Sequence, residues 1–193
     1  MQNVAFKEWA VVCQALAEGR QNIILRKGGI AEGRGGFAFR HREFFLFPTY
    51  FHEEMEKTRL PEAVFPEPSK EQIEIRFFAR VESETSITSW EILEALEPFH
   101  ILHPSVVRER FNYKERAQLH IAFVRVFRLN PSWILPNEKS FGGCRSWVQL
   151  PECPAATCFE PVISDAEHAK RIKLFGNRIN LRTRIAAGRF SLN

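Results

Sequence analysis

Arg26 and Lys27 stand side by side directly ahead of a loop holding Gly28, Gly29, Gly33, Gly35 and Gly36, with Glu32 inside it and His41 and His52 beyond. Glycine reaches backbone angles that other residues avoid and lets a chain pass close to a ligand. Two cations at the mouth of such a loop have the chemistry of an anion site, with backbone N–H groups and side-chain charge both aimed at one ligand. We assign phosphate contact to Arg26 and Lys27 and backbone donation to Gly28 and Gly29. His41, Thr49 and His52 are assigned to the pocket lining. The competing reading is a tight hairpin whose cations are solvated. The loop matches neither the phosphate-loop pattern ending in Gly-Lys-Ser/Thr nor the dinucleotide fingerprint.

Acid–base chemistry has one candidate set, His52 with Glu53 or Glu32, the pairing a hydrolase would need. Metal chemistry has less. His100 and His103 lack a companion carboxylate or cysteine pair, and Cys144, Cys153, Cys158 and His168 are spaced too loosely for a structural zinc site, so buried free cysteines are the ordinary reading. Asp165 is the single aspartate of the chain, and Glu74-Ile75-Arg76 lacks the lysine of a magnesium nuclease motif. No nucleophile elbow occurs. Neither a metal nor a cofactor is expected, and no catalytic motif stands out.

The elements that must position these residues follow from periodicity. Ile23-Ile24-Leu25 and Phe44-Phe45-Leu46-Phe47 read as two short buried strands joined by the glycine turn. Val4 to Glu18 reads as an amphipathic helix, with Phe6, Trp9, Ala10, Cys13, Leu16 and Ala17 at three- and four-residue steps and Gly19 past its end. Gln72 to Glu82 alternates as a half-buried strand. A helix from Thr88 or Ser89 to Leu96 follows, then a second after Pro104 with Val106, Val107 and Phe111 as its apolar face. Gln118 to Leu129 alternates again, and Pro131 and Pro136 are read as breaking the backbone. Ser146 to Leu150 reads as the last strand. Asp165 to Phe175 reads as a closing helix with Ala166, Ala169, Ile172 and Leu174 or Phe175 inward. Thr49 to Leu60 is short, charged and compatible with a helix, and three prolines make Leu60 to Ser69 an extended connector.

Composition bounds the class. A chain of 193 residues with 45% hydrophobic content buries a core, which excludes a disordered polypeptide. The formal charge is +4, and the excess gathers in a C-terminal stretch of seven cations from Lys170 onward without a carboxylate. A polyanion partner is compatible with that balance. No signal peptide and no apolar run of about 18 residues is found, so a cytoplasmic protein with no membrane partner is expected.

Phe6-Lys7-Glu8-Trp9-Ala10, Gly19-Arg20-Gln21, Leu25-Arg26-Lys27-Gly28-Gly29-Ile30, His41-Arg42-Glu43-Phe44, Leu46-Phe47-Pro48-Thr49-Tyr50-Phe51-His52, Arg125-Val126-Phe127-Arg128-Leu129 and Cys144-Arg145-Ser146-Trp147-Val148-Gln149-Leu150 together resemble the bacterial domain-of-unknown-function family numbered 1802. The resemblance implies no chemistry by itself, and its relatives' association with restriction-type domains implies a DNA-related, defence-linked context. The order of an early helix, a strand ending in Arg and a later Val-Arg-Val-Phe strand is also similar to small barrels of the PUA and ASCH kind that bind RNA or modified bases.

The expectation is therefore a single α+β domain over residues 1–175, with a curved mixed or antiparallel sheet or small β-barrel and packed helices. A basic tail, disordered or an edge strand, occupies 176–193. The expected function is a nucleic-acid or nucleotide-binding module. The alternatives are a hydrolase acting on such a ligand and a protein-interaction subunit.

Overall fold

Alternation is strongest from Gln72 onward, and there the chain forms its backbone of architecture: β4 (Gln72–Ile87) lies antiparallel to β5 (Leu119–Pro136) along nearly its whole length. The computed structural model describes residues 3–27, 37–50, 56–60, 69–113, 117–143 and 145–180. Around the long pair stand β1 (Val4–Trp9), β2 (Ile23–Arg26), β3 (Glu43–Thr49), β6 (Trp147–Gln149) and β7 (Cys158–Pro161). They form one seven-stranded sheet in the order β2-β5-β4-β3-β1-β6, with β7 added to β5. All pairings are antiparallel except β1 with β3, so the sheet is mixed, as expected for a curved α+β domain.

Four α-helices complete the described residues: α1 (Ala10–Ala17), α2 (Trp90–Ala95), α3 (Pro104–Asn112) and α4 (Asp165–Ile179). α3 starts on Pro104 after His103, whose Nδ1 accepts from the Ser105 N–H, and it buries Val106, Val107 and Phe111. α4 starts where the Ser164 hydroxyl accepts from the Glu167 N–H.

Two apolar clusters flank the sheet. Phe44 and Leu46 belong to the larger cluster and Phe45 and Phe47 to the smaller, the division that a two-residue period imposes on a strand covered on both sides. α4 closes the larger cluster with Phe175, whose ring centroid lies 5.8 Å from that of Phe99 and 5.0 Å from that of Phe123.

Several expectations are corrected. Residues 4–9 are a strand and only 10–17 a helix, because Val4, Ala5, Phe6 and Glu8 are all buried between β3 and β6. The glycine loop does not join a hairpin: β5 and β4 lie between β2 and β3. β5 runs through Pro131 to Pro136, and the cis Asn130–Pro131 peptide sits within it. The strand at Ser146 to Leu150 is not the last, because β7 follows it. On α4 the inward residues are His168, Ile172, Phe175 and Ile179, whereas Leu174 is 47% exposed and Ala166 and Ala169 face solvent. The helix also continues past Phe175 to Ile179. Cys13 is buried, but Cys153 is half-buried and Cys158 exposed.

Candidate anion-binding site

β1 and β2 share no ladder, yet the curvature of the sheet brings their ends together. Arg26, the last residue of β2, donates from Nη2 to the Lys7 carbonyl of β1. Its guanidinium lies 4.6 Å from the centroid of the Phe6 ring, and Nη2 stands 4.0 Å from Glu8 Oε2. Phe6 and Glu8 share one face of β1 by alternation, so one guanidinium reaches both.

Glu8 is only 2% exposed. Its Oε1 accepts from the Trp9 N–H at 2.9 Å, and its carbonyl accepts from the Thr49 hydroxyl at 3.1 Å. Thr49 is the register partner of Trp9, which is why the parallel β1–β3 pairing delivers that hydroxyl here. On its other side, Thr49 lines a groove of about 570 Å³ bounded also by Lys7, Tyr50, Lys70, Arg76 and Phe77.

α3 supplies a second guanidinium. Arg110 Nη1 donates to the Leu25 carbonyl at 3.2 Å, and the group stacks 4.6 Å from the Trp9 ring centroid. Burial pushes its pKa down to about 10, with the Arg26 charge acting in the same direction and Glu8 opposing. The Arg26 guanidinium thus stands beside the buried Glu8 carboxylate, and its Nε is buried without a hydrogen-bond partner among the described residues.

An aromatic wall adjoins this cluster. Trp147 lies 4.9 Å from Phe6 and 5.2 Å from Phe44, centroid to centroid, and His41 meets Trp147 edge-on at 4.8 Å. Phe37 and Phe39 extend the wall, and Phe37 touches His120, which is the ladder partner of Arg26. Trp147 and His41 are half-buried, so part of each ring remains accessible.

The structure thus gathers Arg26 and Thr49 around Glu8 and places His41 on the adjoining wall. Lys27 turns away: its ammonium donates to the carbonyls of Phe111 at 2.9 Å and Gln118 at 3.1 Å, tying the end of β2 to the region between α3 and β5. Gly28, Gly29, Glu32, His52 and Glu53 lie outside the described residues. Glu8, Trp9 and Arg110 were not singled out from the sequence. Arg110 carries a signal that could have found it, since Val106, Val107, Arg110 and Phe111 share one helical face and a cation on an apolar face needs a partner. His100 is buried, at 4% exposed.

Among the described residues no group of three or more His, Cys, Asp or Glu side chains is placed to hold a metal ion, and no helix is long and apolar enough to cross a membrane. No curated protein matches the chain significantly. Among solved structures, a single-residue mutant of the ASCH protein from Zymomonas mobilis is similar at 13% identity and a TM-score of 0.44, covering 79% of this chain and 92% of its own. Another structure of ASCH from Zymomonas mobilis is 11% identical with a TM-score of 0.42, covering 89% of this chain and 94% of its own. The model of the family described as "Domain of unknown function (DUF1802)" matches residues 5–173, so the chain belongs to that family.

Proposed function

We propose that the protein is a nucleic-acid or nucleotide-binding module whose phosphate contact is the Arg26–Arg110 pair beside Glu8. One observation carries the reading: the Arg26 guanidinium, 4.0 Å from the nearly buried Glu8 carboxylate, keeps a buried Nε with no hydrogen-bond partner among the described residues, and a phosphate would accept from it beside the Arg110 guanidinium, which bonds the neighbouring Leu25 carbonyl. The wall of Trp147, His41 and Phe6 lies next to that charge, where a base attached to the phosphate would stack. Thr49 contributes a hydroxyl at the edge. Lys27 acts through the backbone it fixes and adds positive potential.

The test is binding of labelled single-stranded oligonucleotides and of nucleoside monophosphates to the intact protein, with Arg26→Ala, Lys27→Ala and Trp147→Ala variants. Arg26→Ala is expected to lose at least tenfold in affinity for both ligand classes. Wild-type affinity in Arg26→Ala and Trp147→Ala proteins that remain folded would overturn the assignment of this site.

A further inference from the structure

α4 presents two opposite faces, and among the described residues only one packs on the rest of the fold. His168, Ile172, Phe175 and Ile179 turn toward the sheet. The other face carries Lys170, Lys173, Asn177 and Arg178, all exposed, with Leu174 between them. The acidic residues of the helix do not neutralise it. Asp165 is bonded by Arg125 and Glu167 by Arg171 at 2.6 Å, and each of those bonds holds its carboxyl below the usual range. Arg171 also donates to the Gly19 carbonyl and, at 3.1 Å, to Asn22 Oδ1, which fixes the helix to the body. Lys170, Lys173 and Arg178 make no ion pair among the described residues.

The charge is asymmetric over the whole chain. Residues 170–193 hold seven cations and no carboxylate; taking these from the total of +4 leaves −3 on residues 1–169. A rigid helix with its carboxylates already satisfied and its free cations on one side is complementary to a polyanion.

We infer that this outer face of α4 is a contact surface for the phosphate backbone of a nucleic acid, separate from the Arg26 site; the inference rests on the reading of the protein as a nucleic-acid-binding module and extends it from mononucleotides to strands. From Lys170 to Arg178 the helix rises roughly 12 Å, a span of about three to four nucleotides of one strand at the axial spacing of a duplex. An anionic membrane fits less well. A helix lying in a bilayer surface needs its apolar face for the lipid, and here that face is already packed on Phe123 and Phe99.

The experiment compares the full-length wild type with a Lys170→Gln, Lys173→Gln, Arg178→Gln triple variant and a Lys170→Arg, Lys173→Arg control. Binding of single-stranded and duplex oligonucleotides is measured across a salt series, with nucleoside monophosphate and phosphatidylserine vesicles as further probes. The slope of log affinity against log salt should fall by about two to three in the triple variant, one contact contributing about 0.7–0.9. The arginine control should keep the wild-type slope, and monophosphate affinity should be unchanged in both. A triple variant with wild-type slope overturns the α4 surface and leaves the module reading standing. Loss of vesicle binding with unchanged oligonucleotide binding also overturns it, in favour of a membrane partner. A wild type that binds no oligonucleotide overturns the module reading itself and the strand contact with it.

Discussion

The Arg26 guanidinium bonds the Lys7 carbonyl although β2 and β1 stand at separate places in the sheet, with β5, β4 and β3 between them. One side chain thereby joins two strands that share no ladder and leans on Glu8. Removing it takes away a charge-assisted hydrogen bond and leaves a carboxylate with 2% exposure less compensated. Arg26→Gln should therefore cost about 2 kcal/mol, a fall in Tm of roughly 4–8 °C for a domain of this size. Adding Glu8→Gln should restore part of the loss, and a double-mutant cycle by thermal denaturation reads the coupling. Additive losses would show that the two side chains do not interact.

His100 gives a pH dependence with a defined sign. Burial, then the Arg59 and Arg110 charges, push its pKa down to about 3, while a hydrogen bond with the Leu102 backbone opposes them. The unfolded chain binds a proton near the ordinary value of about 6.5, so stability is fully present above that pH and is lost as pH falls toward 3. Between pH 7 and 5 the loss from this residue is about 2 kcal/mol. A His100→Gln variant should show a flatter profile over that interval in urea titrations, and equal slopes for the two proteins would remove His100 as the cause.

Phe175 and Leu174 are neighbours with opposite fates. Phe175 is 2% exposed between Phe99 and Phe123, and Leu174 is 47% exposed. Phe175→Ala should destabilise by about 3–5 kcal/mol through lost burial and a residual cavity, whereas Leu174→Ala should stay within about 0.5 kcal/mol. Denaturant midpoints for the pair of variants check which face of α4 is docked.

Gly19 closes α1 at φ +68°, and a Cβ there would meet Ile163 Cγ2 at 2.7 Å. The left-handed backbone alone costs an L-residue about 1–2 kcal/mol, and the contact with Ile163 adds to it. Gly19→Ala is expected to lower Tm by more than Gly143→Ala, whose φ is +83° but whose Cβ would meet no atom within 4 Å.

Trp147 packs on Phe6 and Phe44 at the edge of the core and is half-buried, and in the proposed reading it stacks a base. Replacing it with Ala should weaken single-strand binding by about 1–3 kcal/mol for the base it stacks, and Trp147→Phe should recover most of that. Tryptophan fluorescence quenched on ligand addition in the wild type and unquenched in Trp147→Phe would locate the base at this ring.

What could be read from the chain alone was whatever is written in local periodicity. The alternation of Ile73, Ile75, Phe77, Ala79 and Val81 announces β4, and Pro104 with Val106, Val107 and Phe111 announces α3. The first strand could not be read this way. Phe6, Trp9, Ala10 and Cys13 satisfy a helical period, and burial of β1 on both faces erases the alternation that would have contradicted it. Strand order was equally hidden, because the β2–β5 and β1–β6 ladders join residues far apart in the chain and nothing local encodes them. Arg26 and Thr49 are proposed as site residues on the strength of their neighbours in the chain. Glu8 and Arg110 meet them only through that long-range pairing.

The β1–β6 ladder also bears on how the protein is made. Val4 pairs with Gln149 and Phe6 with Trp147, and β2 waits for Phe123 and its neighbours on β5. A chain emerging from the ribosome therefore leaves Phe6 without its ladder partner until Trp147 has been made, and Ile23 and Ile24 without theirs until Phe123 and Ala122 have been. Their completion is a late, chaperone-sensitive event, so truncations before Leu150 should be captured by holdases rather than accumulate as folded fragments.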